Sequence, residues 1–262
     1  MERKRSVLSR IHNNDRKRLD ILGVPIAAVN LDQAVERIIS WIPEGARRYI
    51  TVTGVHGVME SQDDPEILRI HQQADMCVPD GMPLVWLGRW AGYSNMGRVY
   101  GPDLMLAMLK QCEKMGYSSF FYGGKPGIPE RLRDCLLKRF PALRVAGTHS
   151  PPFRAMTEQE EQDFEERIRV LSPDIIWVGL STPKQERWMA NHVNRIDARV
   201  LIGVGAAFDF HAGLVRQAPP LMQKSGLEWL YRLCTEPRRL WRRYIFNNPR
   251  FIWKIVRQIH VL

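Results

Sequence analysis

The chain reads as an α/β protein built on a Rossmann-like, largely parallel sheet with flanking helices, and three observations predict it. Short apolar runs of strand length alternate with stretches of helical period from about residue 20 to about residue 213. Glycine-rich turns follow the apolar runs, as where a buried strand passes into a helix. Beyond Gly213 the alternation stops and a basic, aromatic tail of helical spacing begins, which adds an amphipathic C-terminal helical appendage.

In chain order, strands are expected at Val24–Val29, Tyr49–Thr53, Met76–Val78, Ser119–Tyr122, Arg144–Ala146, Asp174–Gly179 and Val200–Val204. Helix starts are legible between them. Asn30 with Gln33 caps a helix over Leu31–Trp41, Asp64-Pro65 opens one running through His71, and Pro102 begins one through Met115. Thr157 with Glu160 forms a capping box for an acidic helix ending near Leu171, and Thr182, Pro183 and Gln185 start another. A helix break is expected at Glu236–Pro237. The organisation that follows is a basic flexible arm (residues 1–19), an α/β core (20–213) and an appendage (214–262).

Charge follows the same division. Of the formal net charge of +10, residues 1–19 carry +5 and residues 227–262 carry +6, so the central part is close to neutral. Such ends seek an anionic partner: nucleic acid, an acidic membrane surface or a phosphorylated substrate. Cys77, Cys112, Cys135 and Cys234 stand singly, with no paired pattern, as expected for free thiols in a reducing compartment. No apolar run approaches the ~18 residues of a membrane span, so a cytoplasmic protein is expected.

In parallel α/β sheets, ligands collect at the carboxyl ends of strands. Those ends carry Thr53 and His56, Asp80 in Val-Pro-Asp-Gly, Gly123-Gly124, Gln185 after Ser181-Thr182-Pro183, and Gly205 to Asp209. Each has a plain alternative. Pro-Asp-Gly is also a turn, Gln185 sits where a helix's third residue reaches back to its cap, Arg98 also suits a solvated loop, and His56 also suits a structural histidine. A GxGxxG at a first βα turn and a GxxxxGK[ST] are both absent, against a dinucleotide oxidoreductase and a P-loop NTPase. DxD, HExxH and Cys/His clusters are absent too, so no metal site and no cofactor are expected. The chain carries no zinc-finger, RRM or KH signature, and no nucleic-acid partner is expected. Spacing alone leaves open an enzyme of this layout, another Rossmann-like nucleotide-binding enzyme, and a non-catalytic adaptor at a membrane surface.

Six stretches in order resemble the WecG/TagA/CpsF family, glycosyltransferase family 26: Val78-Pro79-Asp80-Gly81-Met82-Pro83, Arg98-Val99-Tyr100-Gly101-Pro102-Asp103-Leu104, Phe121 to Gly127, Pro183 to Trp188, Gly203 to Asp209 and Gly226 to Arg232. The resemblance, spanning about residues 20–246, implies an inverting transfer from a UDP-sugar to an undecaprenyl-pyrophosphate-linked sugar, without a metal, in cell-surface or exopolysaccharide synthesis. The donor sugar would be of N-acetylmannosamine type, its uronic acid, or glucose. Asp80 matches the proposed catalytic base. Thr53, Arg98 and Gln185 match substrate-holding positions, and Arg232, Arg239 and Arg242 match tail arginines that approach the diphosphate. Gly123, Gly124, Gly205 and Asp209 fall in matched strand-end stretches and are expected at the substrate as well.

One departure stands out. The family often reads Thr-x-Asn after the second strand, whereas this chain reads Thr53-Gly54-Val55, with His56 the nearest polar replacement.

The tail interleaves Trp229, Leu230, Leu233, Leu240, Trp241, Tyr244, Ile245, Phe246, Phe251, Ile252, Trp253, Ile255 and Val256 with eight cations. That pattern suits a helix in the headgroup region of an anionic membrane, packing on the protein's own core, or a contact between copies in a homo-oligomer. A peripheral position on the inner face of the plasma membrane is expected. Trp229 and Leu233 are expected to dock on the core, with Trp241 through Trp253 left for lipid.

Overall fold

A computed structural model describes residues 17–260, without the side chains of residues 220, 224, 239, 243 and 260. The expected basic arm lies for the most part outside the described residues. Eight strands are hydrogen-bonded in the order β1-β2-β4-β3-β8-β7-β5-β6. They are β1 Arg18–Ile21, β2 Val24–Ala27, β3 Arg48–Thr53, β4 Met76–Pro79, β5 Ser118–Gly123, β6 Arg144–His149, β7 Ile175–Gly179 and β8 Val200–Gly203. The pair β1–β2 is antiparallel, while β2–β4, β3–β8, β7–β8, β5–β7 and β5–β6 are parallel. All seven expected strands form. β1 is an addition, joined to β2 through Leu22 and Gly23, both at positive φ, the backbone a two-residue hairpin turn of the primed type requires.

The helices are α1 Leu31–Trp41, α2 Val55–Asp63, α3 Pro65–Gln73, α4 Met82–Trp90, α5 Gly101–Met115, α6 Ile128–Arg139, α7 Glu158–Leu171, α8 Lys184–His192, α9 Ala207–His211, α10 Pro220–Lys224, α11 Glu228–Thr235 and α12 Pro237–His260. The break expected at Glu236–Pro237 separates α11 from α12. The capping box at Thr157 is present, its hydroxyl accepting from the Glu160 N–H and the Glu160 carboxylate from the Thr157 N–H.

Two compact units emerge from the packing. The first collects the described residues as far as Leu31, Val52–Tyr100 and the chain from Gln217 onward. Its core holds Leu19, Ile21 and Ile26 of the hairpin, Val58 and Met59 of α2, Ile67 of α3, Val78 of β4 and Leu84 and Val85 of α4, all fully buried. α12 contributes Leu240, Phe251 and Ile255, which share one face and are nearly inaccessible. The second unit comprises Asp32–Thr51 and Gly101–Arg216. There β5 is buried along its whole length. Tyr122 on β5 stacks on Trp188 of α8 at 4.1 Å between centroids, and Trp188 stacks on His192 at 4.3 Å.

His71 on α3 is completely buried, its Nδ1 3.0 Å from both the Ile67 carbonyl and the Ser61 hydroxyl. Burial disfavours the imidazolium and, against the opposing pull of the Ile67 carbonyl, lowers its pKa from 6.5 to about 4. The unfolded chain therefore binds a proton that the native state refuses. Stability is complete above about pH 6.5 and is lost as pH falls toward about 4, by about 3 kcal/mol. Urea denaturation at stepped pH should show this loss, and a His71→Gln variant should show a flatter dependence.

Candidate active site

The ends of β3 and β4 meet in the first unit. The Asp80 N–H donates to the Thr53 carbonyl at 2.9 Å, and Val99 N–H donates to the Pro79 carbonyl at 2.8 Å. Gly54 follows β3, and a Cβ built on it would sit 3.6 Å from Asp80 Oδ2. A bare backbone there leaves the space beside the carboxyl open. Asp80 is thus fixed through its main chain, with about one third of its side chain exposed.

Arg98 returns to the same point from the loop after α4. Its Nε donates to the Asp80 carbonyl, Nη2 lies 2.5 Å from Glu228 Oε2 on α11, and Nη2 is 3.9 Å from Asp80 Oδ1. The guanidinium covers the Tyr100 ring at 4.1 Å. Burial works against its charge, but the Asp80 and Glu228 carboxylates outweigh burial and hold its pKa above the ordinary value. Burial, followed by those two carboxylates, pushes the Tyr100 phenol far above its usual range, so it stays protonated.

These groups open on a cleft of about 880 Å3 lined by His56, Asp80, Arg98, Glu228, Arg232 and Asn247, among others. Its walls are apolar: Trp86 and Trp90 of α4, Trp229 of α11, and Ile245, Ile252 and Val256 of α12. A polar floor with aromatic and aliphatic walls suits a ligand carrying both charge and hydrocarbon. His56, near the start of α2, has Nδ1 3.3 Å from the Asn247 amide nitrogen and 3.5 Å from Glu60 Oε1. An amide therefore reaches this wall from α12, where Val55 supplies none. Sequence reasoning missed Asn247 and Glu228; their separations in sequence from His56 and Arg98 are 191 and 130 residues.

Of the residues singled out from sequence, Thr53, His56, Asp80, Arg98 and Arg232 lie together in the first unit, with Thr53 buried behind the Asp80 loop. Arg242 on α12 is exposed, its guanidinium 5.3 Å from the Trp241 ring centroid, and the Arg239 side chain lies outside the described residues. In the second unit, Gly123, Gly124, Gln185, Gly205 and Asp209 gather at strand ends. Gln185 is buried, Nε2 donating to Glu186 Oε1 at 3.1 Å, and its carboxamide packs against Gly203 and Gly205. Gly123 adopts a φ of +127°, and a Cβ on it would lie 2.6 Å from the Gly179 carbonyl oxygen. Asp209 lies in the first turn of the short helix α9.

The tail divides its residues otherwise than the stripe suggested. Phe251, set toward lipid in the sequence reading, is buried, and Trp229 is more than one third exposed. Arg250 pairs with both oxygens of Asp63 at 2.6 and 2.9 Å, and Lys254 donates to Gln62 at 3.3 Å, so these two cations face α2. The Arg250 hydrogen bonds hold the Asp63 carboxyl below its usual range. Trp241, Ile245, Phe246, Ile252, Trp253 and Val256 remain exposed. No helix among the described residues is long and apolar enough to cross a membrane.

Glu161, Glu165 and His192 in the second unit come close enough together to hold a cation. Protein partners already engage them: His192 Nε2 is within hydrogen-bond distance of Glu161 at 2.8 Å, and Arg195 pairs with Glu165 at 2.5 Å.

Two relatives bear on the reading. The N-acetylglucosaminyldiphosphoundecaprenol N-acetyl-beta-D-mannosaminyltransferase of Staphylococcus aureus (strain MRSA252) is 27% identical over 242 residues, covering 92% of each chain. The protein of the same name from Bacillus spizizenii (strain ATCC 23059 / NRRL B-14472 / W23) is 27% identical over 198 residues, 76% of this chain and 74% of its own. The family model described as "Glycosyl transferase WecG/TagA/CpsF family" matches residues 19–261. With almost its whole length matched, the chain belongs to the WecG/TagA/CpsF family and is a glycosyltransferase.

Proposed function

We propose that the protein transfers a sugar, with inversion, from a UDP-sugar to a sugar carried on undecaprenyl diphosphate, and that Asp80 is the general base. The observation that carries this reading is the cleft itself, where a strand-end carboxylate and two arginines share one cavity with a wall of tryptophans and branched aliphatics. The relatives' names, which specify a diphosphoundecaprenol acceptor, support the same substrate class.

In this reaction Asp80 takes the proton of the acceptor hydroxyl as its oxygen attacks the anomeric carbon, and the bond to the UDP oxygen breaks on the opposite face. Charge develops on the departing β-phosphate. Arg232 in the cleft, Arg98 with its remaining donors, and Arg239 and Arg242 of α12 are assigned to the diphosphates, where planar guanidinium forks suit the geometry. Thr53 supports the Asp80 loop, and His56 is assigned to a sugar. Gly123, Gly124, Gln185, Gly205 and Asp209 are assigned to substrate contacts on the strength of their motifs. The exposed apolar and cationic side chains of α12 are assigned to an anionic membrane surface, which places the enzyme peripherally on the cytoplasmic face.

The test offers purified protein a panel of UDP-sugars, including N-acetylmannosamine, its uronic acid and glucose, with short-chain polyprenyl-diphosphate-linked N-acetylglucosamine or glucose. The product is identified by mass. Transfer from one UDP-sugar supports the reading, and no transfer from any of them, with UDP left unbound, overturns it. Turnover is also expected to persist in EDTA, because the sequence offers no DxD and arginines are present to meet the leaving charge. Loss of turnover with chelator, restored by Mg2+ or Mn2+, would contradict that expectation.

A further inference from the structure

We propose that Glu228 is a positioning residue for Asp80, acting through Arg98 to couple the docking of α11 to the readiness of the base. The proposal rests on the function given above and assigns a role to a residue that no motif argument singled out. Arg98 is the centre of the arrangement. One edge of its guanidinium holds the Asp80 main chain, and Nη2 is committed to Glu228 at 2.5 Å, whereas the Asp80 carboxylate stands off at 3.9 Å. Both carboxylates act on the cation, and Glu228 alone also accepts a side-chain hydrogen bond from it. Glu228 is 8% exposed, and the arginine side chain 16%, so the pair is weakly screened.

Two consequences follow from this geometry. With Glu228 in place, the charge of Arg98 is shared and Asp80 keeps the basicity its task needs. With α11 undocked, the same guanidinium is free to close on the Asp80 carboxylate, stabilising the anion and weakening it as a base. Tyr100 beneath Arg98 fixes the plane of the guanidinium, so the exchange between the two carboxylates is a small movement. The other charged or titratable groups lining the cleft are Arg232 on α11, with Glu236 at 3.9 Å, His56 on α2, with Glu60 at 3.5 Å, and Tyr244 on α12. They are unchanged by substitution at 228, and a comparison of variants isolates the effect of Glu228.

The informative variant is Glu228→Gln, which keeps the size and an oxygen acceptor for Arg98 and removes only the negative charge. Turnover should fall about tenfold, with KM for the UDP-sugar within about twofold, and the acid limb of the kcat profile should move to lower pH. Glu228→Asp should restore the position of the acid limb even where its shorter reach lowers turnover. A carboxyl carbon NMR titration of Asp80 in the full chain reads the same effect without activity: Asp80 should titrate at lower pH in the Gln variant than in the wild type. A glutamine variant with wild-type turnover and an unmoved Asp80 titration would show that Glu228 only anchors the helix, and would overturn the proposal. A wild type that transfers no sugar while the Asp80 titration still responds to Glu228→Gln would instead count against the assigned reaction.

Discussion

Asp80→Asn is expected to lower turnover by about 10²–10⁴-fold while leaving the fold and UDP binding near normal. The substitution keeps shape and main chain, and the main chain is what the surroundings grip: the Asp80 N–H donates to Thr53 and the Asp80 carbonyl accepts from Arg98. The carboxylate stands 3.9 Å from the guanidinium, beyond hydrogen-bond distance, and no close ion pair is broken. The negative charge goes with the capacity to accept a proton, and Arg98 keeps its pairing with Glu228 at 2.5 Å. Thermal unfolding and UDP titration of the variant should match the wild type, and initial rates should not. Near wild-type turnover would remove Asp80 from the role of base.

The second large effect concerns membrane retention. Phe246→Glu, Trp253→Glu and Arg257→Glu, made together, are expected to weaken binding to vesicles of anionic phospholipid by about 10²–10³-fold, from roughly 1 kcal/mol for each charge near such a surface. Phe246 and Trp253 are each 57% exposed, and Arg257 lies over the Trp253 ring at 4.6 Å. None of the three lines the cleft. Turnover on a water-soluble acceptor analogue should therefore stay within about twofold of wild type, whereas turnover on vesicle-borne acceptor should drop. Removing residues 227–262 is a blunter instrument, because it also strips Leu240, Phe251 and Ile255 from the core and Glu228 from Arg98. Undiminished vesicle binding by the triple variant would turn attention from lipid to another partner for this face.

How much of this was legible in the sequence depended on how each element announces itself. The buried strands did so through apolar runs, and all seven formed. Helices announced by a side-chain cap were also readable, as at Asp64-Pro65 and Thr157. Four helices before the tail were not: α2, α4, α6 and α9 follow Gly54, Gly81, Gly127 and Ala206, which contribute no side-chain cap. β1 escaped because its turn is Leu22-Gly23, without the Asn-Gly or Asp-Gly signal. Within the cleft, motif order pointed to Asp80, Arg98 and Arg232, each on a local stretch. Glu228 and Asn247 acquire their meaning only from partners far away in sequence, and no local pattern encodes that. The tail shows the same limit, since helical spacing identifies an apolar stripe but does not say whether Phe251 faces protein or lipid.

The first unit is assembled from pieces at both ends of the described chain and from its middle, and this sets an order of events during synthesis. Asp80 and Arg98 emerge early from the ribosome, but Glu228 follows Arg98 by 130 residues, Arg250 follows Asp63 by 187, and Gln258 follows its partner at Leu22 by 236. Contacts of such separation form late and slowly, and a nascent chain exposes the unpaired faces of α2, α4 and the hairpin until α12 is released. The helix whose outer face carries Phe246 and Trp253 is thus the same one whose inner face completes the unit, and its arrival finishes the cleft and presents the apolar surface in a single step.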